Sequence, residues 1–147
     1  MASLRNETNR QRLVHRLRMV TPATKPNWGS FDAPRMLSHL IDSLLIALGE
    51  TSTQSLNRTM FQYFPLKHLV IYVIPFPKGV PTTPEFLATA PAEFEADRRR
   101  LLELMDRLAD LPRAMGPPHP LLGPLTNDEW NVLQSKHIAH HLKQFGC

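Results

Sequence analysis

Three histidines fall within five positions of KHIAHHLKQFG, the segment Lys136–Gly146: His137, His140 and His141. His137 and His141 are four residues apart, so on an α-helix they stand one above the other on one face. By that spacing one helix offers two imidazoles to one ion. Trp130, His137 and Gln144 mark a single seven-residue stripe with His141 beside it, which turns the pair toward an inward seam. An imidazole buried without partners costs on the order of a kcal/mol or more per unpaired nitrogen. A metal satisfies one nitrogen of each ring, and protein hydrogen bonds satisfy the other. The competing reading of such a pair is a surface pair or a hydrogen-bonded core pair.

A third imidazole, His39, sits in the apolar run MLSHLID, with Met36 one turn before it, Ser43 one turn after and Leu40 alongside. Across a helical bundle, His39 and the His137/His141 pair can meet on one ion. Three imidazoles leave coordination positions open for water or substrate, as in catalytic rather than structural zinc-type sites. Read alone, His39 is a hydrogen-bonded core histidine, and spacing by itself leaves both readings standing. A histidine ligand set also predicts metal affinity that falls as pH drops through the range near 6.5, because protonated imidazole cannot ligate.

Four stretches of helical periodicity must position these residues. The first spans roughly Glu7 to Val20, with Leu13, Leu17 and Val20 on one side and arginines on the other. The second is capped by Ser30 or Asp32, has Pro34 in its first turn and closes at Gly49. The third runs from about Pro91 to Leu111, burying Phe94, Leu101, Leu102, Leu104, Met105 and Leu108 and turning EADRRR outward. The fourth opens with TNDE, in which Thr126 and Glu129 make a capping box, and runs through Phe145 to a stop at Gly146. Between the second and third, residues 50–90 read as an irregular crossover. HLVIYVIPF within it has strand-like propensity but no evident partner, so a short helix after Pro65 is preferred. PFPKGVPTTPEF, with four prolines, reads as loop, and MGPPHPLLGPL forms a second Pro-rich connection. The fold class is therefore all-α: one domain over residues 1–147, a four-helix bundle with one long crossover.

The chain has 147 residues, 42% hydrophobic and 20% charged, as in ordinary soluble globular proteins. Cys147 is the only cysteine, which excludes an intrachain disulfide and fits a reducing compartment. The polar, Arg-rich first twenty residues lack the apolar core of a secretory signal. The longest apolar run, LVIYVIPF, falls well short of the ~20 residues that span a bilayer. The expectation is a cytoplasmic protein with no membrane partner. Lys and Arg total 17 against 13 Asp and Glu. The clusters at Arg5, Arg10, Arg12, Arg16, Arg18 and at Arg98–Arg100 come without a helix-turn-helix, an RNP-type aromatic pattern or zinc-finger spacing. They read as solvated helix faces, and no nucleic acid is expected.

HPLLGPLTNDEWNVLQSKHIAHHLKQFG, His119 to Gly146, resembles the C-terminal signature of the DinB/YfiT-like superfamily, in a branch of uncharacterised function. WGSFDAPRMLSHLIDSLLIALG, Trp28 to Gly49, is similar to the second helix of that superfamily, whose histidine is the first metal ligand. The middle third matches weakly. The resemblance implies an up-down-down-up four-helix bundle holding a divalent ion, zinc or nickel, through His39, His137 and His141. It implies a thiol S-transferase or small-molecule hydrolase that activates a thiol or water, acting on a small molecule that includes a low-molecular-weight thiol. A homodimer is a further expectation, since superfamily members often dimerise. The alternative is a non-catalytic metal-binding or interaction bundle.

Around that site, His140 lies about 60° from His137 on the helix and belongs to the rim or to packing. His119, in the PPHP loop, is a candidate acid–base group or a structural loop residue. Gln144 either orients substrate or packs against the seam. Asp42, one turn beyond His39, accepts from a ligand imidazole or faces solvent. Trp28 and Trp130 read as core anchors, and His15 and His68 belong to no constellation.

Overall fold

The structure is a computed structural model that describes residues 1–54, 59–79 and 82–147. Among these residues the regular structure is helical throughout, without strands. Four long helices carry the core: α1 (Glu7–Met19), α2 (Ala33–Ala47), α4 (Phe94–Asp110) and α5 (Asn127–Gln144). A short α3 (Leu66–His68) runs on into a π-helical turn over Leu69–Val73. The strand-prone run is thus helical, as preferred above, because no described strand is there to receive its hydrogen bonds. The crossover holds a 3₁₀ turn at Pro84–Leu87, while Val80 and Pro81 of its Pro-rich stretch lie outside the described residues.

Local chemistry sets the ends. Asp32 caps α2, its side chain accepting from the Arg35 amide, and Pro34 sits in the first turn, where its missing N–H costs nothing. Thr126 and Glu129 form the reciprocal capping box of α5. The third predicted helix begins later than its sequence suggests, at Phe94, because Glu93 takes the cap by accepting from the Glu95 and Ala96 amides.

Helix α2 is central and packs on both α4 and α5. From Met36 to Ala47 only Leu45 escapes full burial, and Met36, Leu37, Leu40, Ile41 and Leu44 are wholly enclosed. Burying each such side chain is worth roughly 1.5–3 kcal/mol. Trp130 anchors the centre of α5, fully buried, with Nε1 donating to the Pro117 carbonyl (2.7 Å). MGPPHPLLGPL is drawn into a compact loop by paired backbone hydrogen bonds between His119 and Gly123.

Two surface expectations need correction. Asp97, assigned to an outward face, is buried and accepts from the Ala92 amide (2.9 Å), holding the chain that enters α4. Several arginines act as ties between elements. Arg5 pairs with Asp128 (2.5 Å), Arg10 pairs with Asp106 (2.9 Å), and Arg98 donates to the Arg18 and Val20 carbonyls at the end of α1. Arg99 and Arg100 do face solvent.

Candidate metal centre

Helices α2 and α5 bring His39, His137 and His141 together. One nitrogen from each ring lies within 4.8 Å of the other two. His137 Nε2 is central, 3.0 Å from His39 Nε2 and 3.2 Å from His141 Nε2. The ring centroids are all 4.9 Å apart in edge-on arrangements, so the rings converge without stacking.

Proton bookkeeping shows what these contacts are. His39 Nδ1 lies 2.9 Å from the Phe86 carbonyl oxygen. A carbonyl only accepts, so Nδ1 carries the proton and Nε2 is a bare lone pair. Gln144 repeats the logic for His141. Its Nε2 donates to the Trp28 carbonyl (2.8 Å), so its Oε1 faces His141 Nδ1 (2.7 Å) and accepts. His141 Nε2 is therefore bare as well. His137 Nδ1 meets Ser43 Oγ (3.1 Å), which also bonds the Gln134 amide. When Ser43 donates to Gln134, His137 Nδ1 donates to Ser43 and all three Nε2 lone pairs face one another. When Ser43 donates to His137 instead, the triad contains one Nε2 proton for two waiting acceptors. Either way, protein alone leaves at least one nitrogen of the triad unmatched, at a cost of about 1–3 kcal/mol.

A cation removes that deficit. With an ion ~2.0–2.1 Å from each nitrogen, neighbouring ligands sit roughly 3.3 Å apart in tetrahedral and roughly 2.9 Å apart in octahedral geometry. The observed 3.0 and 3.2 Å fall between these values, and the third pair lies within 4.8 Å. The residues present therefore fit a divalent ion, and the second nitrogen of each ring already has its protein partner.

Electrostatics keep the rings in the ligating form. Burial lowers the pKa of His39, and it holds His137 well below its ordinary value with His141 and His39 adding to the effect. His141 is pushed down to about 3, chiefly by burial and then by His39. Protonation should therefore compete with an ion only below the range near 6.5 expected from sequence.

Several supports were not legible in advance. Arg35, His39 and Asp42 share one side of α2 and together clamp residues 86–89. Arg35 donates to the Thr89 and Leu87 carbonyls (both 3.0 Å). Asp42 is buried and accepts from the Thr89 amide (2.9 Å) and from its hydroxyl. Asp42 thus bonds no imidazole and does not face solvent. It fixes the segment whose Phe86 carbonyl orients His39. Gly29 is the other such support: φ is +81°, and a Cβ there would lie 2.5 Å from Gln144 Nε2, so glycine lets Trp28 offer its carbonyl to Gln144.

The remaining candidates take separate places. His140 stays at the edge, its ring 5.2 Å from that of His141 and 6.0 Å from those of Trp28 and Phe76. His119 is outside the triad, with Phe86 between it and His39. Its Nδ1 accepts from the Leu121 and Leu122 amides, and burial pushes its pKa down to about 4, leaving a neutral ring whose one N–H is at Nε2. Trp28 is half-buried rather than core. His15 and His68 are exposed and far from this cluster's partners. A cleft of about 1050 Å³ lies elsewhere, between α1, α5 and the π-helical turn, lined by residues such as Arg12, Leu13, Tyr72 and Val132.

Residues 75–146, just under half of the chain, match the model of a family described as a protein of unknown function (DUF1569). The match spans α4 and α5, with His119, His137, His140, His141 and Gln144. His39 lies outside it. No curated protein and no solved structure matches the chain. No helix among the described residues is long and apolar enough to cross a membrane.

Proposed function

We propose that this protein is a metal-dependent enzyme of the DinB/YfiT-like type, a bundle of up-down-down-up topology that activates a thiol or a water for attack on a small molecule. The observation that carries the reading is the convergence of three Nε2 atoms, two of them stripped of protons by fixed acceptors at Nδ1. A divalent ion, zinc or nickel, supplies Lewis acidity there and acidifies a coordinated thiol or water.

The chain's own residues do the rest. His39, His137 and His141 hold the ion, and Phe86, Ser43 and Gln144 hold the rings. Ser43 can turn its hydroxyl toward Gln134 and accept from His137 Nδ1–H, so the central ring can hold the ligating tautomer without moving a heavy atom. His39 and His141 are nearly enclosed, whereas His140 beside them is half-buried, so the approach from solvent is on the side of His140. A substrate approaching there meets half-buried aromatic rings that displace water. If His119 contributes a proton, it does so from Nε2, since Nδ1 is committed to its own turn. The reaction is a thiol S-transfer or a hydrolysis in a cytoplasmic protein, and a homodimer is compatible with it.

Metal analysis of untagged protein tests this reading. The expected result is about one equivalent of a divalent metal and a melting temperature that falls when chelator removes it. Less than a few tenths of an equivalent, with stability unchanged in chelator, would overturn it.

A further inference from the structure

The approach to the triad has a chemistry of its own. Phe31 stacks on His141, with centroids 5.9 Å apart and planes at 24°, and tilts against His39 at 5.2 Å. Phe76 meets His137 and His140 edge-on at 5.7 and 6.0 Å. Trp28 meets His140 at 6.0 Å. All three rings are half-buried, so each keeps surface to offer a ligand.

Cations sit on this aromatic wall. Lys78 Nζ lies 4.2 Å from the Trp28 ring centroid and Lys136 Nζ lies 4.9 Å from that of Phe76. Lys143 is exposed three residues after His140 on α5, so it stands on the same side of that helix. Among the described residues, none of these three lysines forms an ion pair. Asp42, the buried carboxylate one turn beyond His39, is engaged by the Thr89 amide and hydroxyl. Aromatic walls of this kind often receive cationic ligands. Here two of the ring faces already carry the protein's own ammonium groups; Lys136 also donates to the Val70 carbonyl, but among the described residues neither ammonium has a carboxylate counter-ion beside this flat apolar surface.

We propose that this entrance binds a small organic anion, a carboxylate on a flat apolar body, with the body against Phe31, Phe76 and Trp28 and the carboxylate at Lys78 and Lys143. The assignment rests on the triad being the reactive centre only in naming the ligand as substrate. The binding chemistry stands by itself.

Titration of the full-length protein with benzoate and with benzamide, followed by tryptophan fluorescence or calorimetry, tests it. Benzoate should bind roughly tenfold or more tighter than benzamide, and added salt should narrow the difference. In the double variant Lys78→Gln/Lys143→Gln, benzoate affinity should drop roughly tenfold and benzamide affinity should move by less than about twofold. Both substitutions are at exposed positions, and circular dichroism checks that the fold is kept. Equal affinities, no binding of either probe, or a benzoate affinity indifferent to the lysines would overturn the proposal. Cobalt absorption, read on the same samples, separates this from the metal reading. Cobalt bound without anion preference retires the anion site alone, and lysine-dependent preference in a protein that takes no cobalt retires the metal reading alone.

Discussion

Helix α5 carries two buried polar stripes, and they differ in where their nitrogens point. Asn127, Asn131 and Ser135 lie four apart along one side. Asn127 donates to the Pro112 carbonyl, Asn131 to the Leu108 and Asn127 carbonyls, and Ser135 accepts from Asn9. This stripe stitches α5 to the end of α4 and to α1, and among the described residues Asn131 Oδ1 has no partner. Gln134, His137, His141 and Gln144 form the other. Its amides are used up on Ser43, His141 and Trp28, and its imidazoles, with His39, aim their remaining nitrogens at one another. Burial of polar groups is common to both. What marks a site is where the nitrogens point: the first stripe spends its N–H groups on protein carbonyls, whereas the second turns bare imidazole lone pairs toward shared space.

Substitutions on the two stripes should have different consequences. The largest effect is expected for His137→Ala, which removes the central nitrogen and should weaken zinc or cobalt binding by more than about 100-fold in competition titrations. Retained affinity would show that the three nitrogens do not act as one ligand set. Gln144→Leu should leave His141 free to rotate or change tautomer and lower metal affinity by roughly 10- to 100-fold. Gly29→Ala should act in the same direction, because its Cβ would displace Gln144 from the Trp28 carbonyl. On the other stripe, Asn131→Ala should cost about 1–3 kcal/mol in denaturant unfolding while leaving metal affinity unchanged. If Asn131→Ala altered metal binding as strongly as Gln144→Leu, the two stripes would not be separable.

Imidazoles held below their ordinary value bind protons more readily in the unfolded chain than in the folded one. Metal-free stability should therefore be full above about 6.5 and decline as pH falls from there toward the folded values, about 3 for His141. Over the upper part of that window the folded site stays neutral, so metal affinity measured at pH 6 should be close to that at pH 7.5. A drop centred on 6.5 would mean that the rings are more hydrated than the packing indicates. The smallest change is expected for His140→Ala, within about threefold in metal affinity, since no hydrogen bond ties His140 to the triad.

Much of this architecture could be read from residue order. The capping box at Thr126 and Glu129, the proline after Asp32 and the terminal Gly146 act through neighbours in the chain, so they fix helix ends locally. The i, i+4 pair His137/His141 is local in the same way. His39 was recoverable because a polar ring interrupts an apolar run on the most buried helix. The roles of Arg35, Asp42 and Gly29 were not recoverable. Each depends on a loop segment distant in sequence, Leu87–Thr89 for the first two and the side chain of Gln144 for the third. Asp97 was misplaced for a related reason: its partner is the Ala92 amide, in the irregular chain before the helix, where no periodicity applies. The run from Leu69 to Val73 was ambiguous because its β-branched residues favour strand, a preference that tertiary packing overrode.

If the proposed function holds, His39, His137 and His141 bind one ion through Nε2. Crystals grown with zinc, measured on both sides of the zinc absorption edge, test it most directly. The expected result is one anomalous peak ~2.0–2.1 Å from Nε2 of each of the three histidines, with His140 outside coordination distance. A peak elsewhere, ligation through Nδ1, or three histidines still bonded to one another in crystals saturated with zinc would contradict it.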